Sequence, residues 1–174
     1  MTGRRPGGFS LIEMAVVLFI VVLLLGSVLV PFNSQVEQRR VAETQKILEE
    51  AKEALIGYAI AHGRLPCPDL RSAAPGYTPN DGLEDRTPGG TCVVQAGNLP
   101  WAELSVAKTD AWGHIFRYAV SPAFSQAISL TSNPTLTVRS RDGNGNSIAL
   151  SKVKGVPAVI LSHGKNGYGS IDGE

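Results

Sequence analysis

Hydrophobic and polar positions divide this chain into three stretches of different periodicity. Residues 14–36 carry no charged side chain and are mostly Val, Leu, Ile, Ala and Phe. A run without a polar face predicts a helix surrounded on all sides by lipid or by other helices. As a helix, residues 9–32 would reach roughly 36 Å, which crosses a bilayer core of about 30 Å with some tilt. Arg4 and Arg5 precede the run and place its start in the cytoplasm, with the carboxyl end outside. The run outlasts the apolar core of a removable secretory signal, and apolar residues continue beyond Gly26 and Ser27, so a retained anchor is expected.

Residues 35–62 change to a helical period. Ile47, Leu48, Ala51, Ala54, Leu55, Tyr58 and Ala59 form one stripe, with Glu, Arg and Lys on the other face. Gly63, reinforced by Pro66 and Pro68, is the expected stop. The two stretches together predict one long helix, broken or bent near Pro31, where Asn33 and Ser34 could cap a restarted turn. The stripe is too short and alanine-rich for a coiled coil.

From residue 63 onward the pattern is that of a small globular head. Residues 64–114 are crowded with turn signals, among them Pro75-Gly76, Asn80-Asp81-Gly82 and Pro88-Gly89-Gly90. Residues 99–104 predict a short helical turn. Strand-like runs follow at 115–120, 136–140, 147–150 and 156–162, with a tight turn at Arg141-Asp142-Gly143-Asn144-Gly145. The expected class is α+β, a long helix packed on a small antiparallel sheet.

Charge alters little: 16 basic and 15 acidic residues give a net charge of +1, which offers no footprint for nucleic acid. The two cysteines, Cys67 and Cys92, both follow the apolar segment. An even number in an exported domain favours a disulfide over two buried thiols, and it would staple the long irregular stretch.

The leader is more specific than an anchor requires. Gly7-Gly8 stands directly before Phe9-Ser10-Leu11-Ile12-Glu13-Met14, and Glu13 puts an acid near the start of an apolar helix, where charge is expensive. This combination resembles the signal of type IV prepilins and type II secretion pseudopilins. The resemblance implies cleavage between Gly8 and Phe9 by a prepilin peptidase and methylation of the new Phe9 amine. It also implies assembly with copies of the chain and other pilins by an ATPase-driven inner-membrane platform. Glu13 would then pair with the Phe9 amine of a neighbour, setting register more than adding stability.

A second likeness is to the major pseudopilins. Residues 110–118, beginning Asp110-Ala111-Trp112-Gly113, look like their Asp-Pro-Trp-Gly stretch, with Ala111 in place of proline. Residues 162–167 are similar to their Ser-x-Gly-x-Asp-Gly region, with Asn166 in place of aspartate. That subfamily binds calcium near its last segment, which makes Asp142, Asn144 and Asp172 weak calcium candidates here. Asp142-x-Asn144-x-Asn146 lacks the following glycine and terminal acid of a calcium loop, and a hairpin turn is the simpler account of it. Asp81, Glu84 and Asp85 are another conceivable oxygen cluster, or a solvated loop. Neither a zinc spacing nor a nucleophile motif is present, so no cofactor and no enzymatic activity are expected.

The expected organisation is a cytoplasmic leader at 1–8, a membrane and filament-core helix at 9–32, its amphipathic continuation at 33–62, and a periplasmic or extracellular head at 63–174. The expected function is a subunit of a secretion pseudopilus or pilus-like filament. A membrane-anchored periplasmic enzyme or sensor is the alternative.

Overall fold

The computed structural model describes residues 8, 10–150 and 155–173; for residues 25–33 it describes the backbone but not the side chains. It is α+β: helix α1 (Leu11–His62), strand β1 (Ala96–Asn98), helix α2 (Trp101–Leu104), and strands β2 (Arg117–Val120), β3 (Arg139–Arg141), β4 (Ser147–Ala149) and β5 (Ala158–Leu161). Two compact units divide it, Met1–Arg40 and Val41–Glu174.

Of the two outcomes expected near Pro31, a break is absent, because α1 is one element through that position. A proline removes a single backbone donor, and the turns on either side retain theirs. No restarted turn therefore exists for Asn33 and Ser34 to cap. The helix ends where expected. Gly63 takes a φ of 68°, and its amide donates to the Ala59 carbonyl at 2.9 Å, a left-handed stop that glycine adopts without strain.

In the second unit the apolar stripe of α1 meets the head. Ala51, Leu55 and Tyr58 are buried with Leu65, Cys67, Cys92, Leu99, Leu104, Phe116, Tyr118 and Val120, while Ile47, Leu48, Ala54 and Ala59 pack at the margin. Thr44 extends the stripe by one turn: it is buried, and its hydroxyl accepts from the Ala111 amide at 3.2 Å.

Among the described residues two antiparallel sheets form in place of one. The first has the order β1-β2-β5, and the hairpin β3-β4 stands apart from it. Tyr118 and Val120 alternate into the core, and the Tyr118 hydroxyl donates to the Pro66 carbonyl at 3.1 Å. Strand β1 was not expected; it lies within the stretch whose composition indicated only turns.

Residues 64–95 are irregular yet tightly tied. Cys67 and Cys92 are joined by a disulfide, with Cα atoms 5.2 Å apart. Buried carboxylates hold the rest, as such a loop needs partners for its amides. Asp69 accepts from the amides of Asn80 and Gly82, each at 2.9 Å, and Asp85 from that of Leu70 at 2.7 Å. Glu84 accepts from the Cys67 amide at 3.0 Å and from Arg64 at 2.6 and 2.8 Å, with Arg86 at 3.3 Å. Glu84 and Asp85 are thus neither a cation cluster nor a solvated loop, and Asp69, which the composition does not single out, does as much.

Candidate functional site at the start of the long helix

The candidate processing site begins at Gly8, which is exposed. Phe9, its partner in the expected cleavage, lies outside the described residues, as do the leader residues 1–7. The helix start that follows is fully defined. Ser10 precedes α1, and the Glu13 amide donates to its hydroxyl at 3.3 Å. In return the Ser10 amide donates to Glu13 Oε2 at 2.9 Å, and the Met14 amide donates to the Ser10 carbonyl at 3.2 Å.

This is a reciprocal capping box. The Ser-x-x-Glu spacing that announces it was available in the sequence, though the expected role of Glu13 there was intermolecular alone. Glu13 therefore has a task within its own chain, closing the first turn and placing a negative charge at the positive end of the helix. Its second oxygen, Oε1, takes no part in the box.

On both sides of Glu13 the helix presents apolar side chains in every direction. Leu11 is 93% exposed, Ile12 74%, Phe19 65% and Leu24 62%, and the valines and leucines between them are similarly open. Such a surface is unstable in water and calls for lipid or other helices. No helix among the described residues is both long and apolar enough to cross a membrane; the side chains of residues 25–33, part of the apolar run, lie outside them.

In the head, Asp110 organises the tryptophan turn. It is buried; Oδ1 accepts from the amides of Trp112 and His114 at 2.9 and 3.0 Å, and Oδ2 accepts from the Ser162 hydroxyl at 2.5 Å. The segments 110–118 and 162–167 therefore meet at one carboxylate.

Of the calcium candidates, Asp142 and Asn144 lie in the β3-β4 turn and Asp172 beside the tryptophan turn. Asp142 closes the β3-β4 turn, accepting from the amides of Asn144 and Asn146 at 2.9 and 2.8 Å. The Asn146 bonds foremost hold its carboxyl below the usual range. Asp172 lies against His114, at 3.7 Å from Nε2. Among the described residues no three His, Cys, Asp or Glu side chains gather into a group that would hold a metal ion. An open groove of about 710 Å³ between α1 and β5 is lined mainly by apolar side chains such as Leu48, Ile56, Ile60, Phe124, Ile128 and Ile160.

Compared with known proteins, residues 3–29 match the family model described as the prokaryotic N-terminal methylation motif. The chain thus carries a prepilin-type cleavage and methylation signal. No curated protein matches the chain, and no solved structure matches it.

Proposed function

We propose that this chain is a structural subunit of a pilus-like filament, a type II secretion pseudopilus or a type IV pilus. It is inserted into the bacterial inner membrane as a single-pass precursor, with residues 9–32 across the bilayer and residues 63–174 in the periplasm. Prepilin peptidase cuts between Gly8 and Phe9, the Phe9 amine is methylated, and an inner-membrane platform polymerises the subunits through their apolar helices. The observation that carries this reading is the methylation motif at residues 3–29. The all-round apolar exposure of α1 up to Leu24 supports it, since packing among copies would cover that surface.

The Glu13 geometry sharpens the assembly step. With Oε2 engaged by the Ser10 amide, Oε1 is left for the methylated amine of a neighbour, so capping and register are compatible uses of one carboxylate. The likeness around Asp110 and Ser162 favours a pseudopilin over a pilus subunit. Mass spectrometry of the mature chain tests the reading: N-methyl-Phe9 is expected. A functional form that retains Met1, or that begins near Ser27, would defeat it.

A further inference from the structure

The outer face of the three-stranded sheet gathers basic groups that have no ion-pair partner among the described residues. Arg117 alternates with Tyr118 along β2 and so lies on the face turned away from the core. Its cross-strand neighbours are Asn98 and Leu161. Asp69 bridges to Asn98, and the chain leaving Asp69 carries Arg71 to the same end of the sheet. Burial, and then the charge of Arg71, lower the Arg117 pKa.

Arg71 Nη2 donates to the Gly169 carbonyl at 2.5 Å. His163 lies against the same glycine, where an added Cβ would sit 3.6 Å from its Cε1. In all three residues one buried nitrogen has no hydrogen-bond partner among the described residues: Arg71 Nε, Arg117 Nη1 and His163 Nε2. Among the described residues the ion pairs involve Lys46, Lys52, Arg64, Arg86 and His114, so neither Arg71 nor Arg117 has a carboxylate at that distance.

A buried guanidinium nitrogen with no acceptor forfeits hydration without replacement, and at Arg117 the charge of Arg71 adds to that cost. An oxyanion relieves both costs, because its oxygens match the planar fork of arginine. We propose that Arg71 and Arg117 form an oxyanion site, with His163 at its edge. The anion is either a free phosphate or carboxylate, or a carboxylate presented by a second copy of this chain. The site does not depend on the filament reading, since it lies wholly within the head.

Titration of the full chain in nonionic detergent with inorganic phosphate, against sodium chloride at matched ionic strength, tests the site by arginine side-chain NMR. A saturable shift of the Arg71 Nε–H resonance is expected, weakened about tenfold or more in Arg117→Gln and unchanged in Arg141→Gln, an exposed arginine elsewhere. Retained near-UV dichroism verifies that Arg117→Gln folds; if it does not, the wild-type titration decides alone. No phosphate shift, together with self-association in sedimentation that is weaker in both Arg71→Gln and Arg117→Gln, would assign the anion to a neighbouring copy. No phosphate shift and unchanged self-association would overturn the proposal.

Discussion

Asp110 and Ser162, 52 residues apart in the chain, share a 2.5 Å hydrogen bond between carboxylate and hydroxyl. The same serine oxygen accepts from the Gly164 amide at 2.9 Å, so the tryptophan turn and the segment leaving β5 are fastened at one point. Replacing Asp110 with alanine leaves two amides and a hydroxyl without an acceptor, at a cost of about 2–4 kcal/mol. Urea unfolding should detect that loss and a smaller one for Ser162→Ala. In the double variant the losses should not add; strict additivity would mean that the two residues act separately.

The loop carboxylates give opposing pH dependences. Burial disfavours the charge of Glu84, but Arg64, the Cys67 amide and Arg86 outweigh it and lower the carboxyl from 4.5 to about 2. A depressed carboxyl stabilises above its unfolded value, and that contribution disappears as pH falls from about 4.5 towards about 2. Burial raises Asp69 from 3.8 to about 6, and raises Asp85 in the same sense. For Asp69 the sign reverses: stability falls as pH climbs from about 4 to about 6. Each effect is of the order of 3 kcal/mol. Stability from these groups should therefore peak near pH 4–5, and Glu84→Gln should remove the acid arm while leaving the decline towards pH 6. A profile rising steadily from pH 4 to 7 would contradict the Asp69 assignment.

Cys67 is completely buried, and its bond to Cys92 closes a sequence separation of 25 residues. Replacing both cysteines with serine should lower stability by about 3 kcal/mol through the freed unfolded chain. Thiol labelling of the unreduced, unfolded protein should find neither cysteine reactive, and two labelled thiols would refute the bridge.

The proposed assembly role of Glu13 is separable from its place in the capping box. Glu13→Gln retains a carbonyl oxygen for the Ser10 amide but loses the charge, whereas Glu13→Leu loses both. Both variants should insert in membranes and yield fewer filaments, measured in the sheared fraction. Only Glu13→Leu should also fray the first helical turn, seen as faster amide exchange at Leu11–Met14. Full filament yield from Glu13→Gln would show that the charge has no part in assembly.

Much of the fold was legible because it rests on local periodicity. The stripe from Ile47 to Ala59, the stop at Gly63 and the hairpin turn after Arg141 each follow from spacing within a few residues. Strand β1 was not legible. Its three residues, Ala96–Asn98, include a glycine, and Gly97 is required by contact rather than by pattern: an added Cβ would collide with the Asp69 carbonyl. A break at Pro31 does not follow from the residue type alone, since a helix of 52 residues can carry the local cost of one proline.

The sequence by itself determined the processing signal, the apolar helix start and the pairing of the only two cysteines, because each is written in neighbouring residue types or in a count. The roles of the carboxylates were decided by tertiary structure alone. Asp69, Glu84, Asp85 and Asp110 look like ordinary loop acids in the chain, yet each is turned inward to satisfy amides and cations from distant segments. No local pattern records which acid will be buried, since burial depends on what the rest of the chain brings over it.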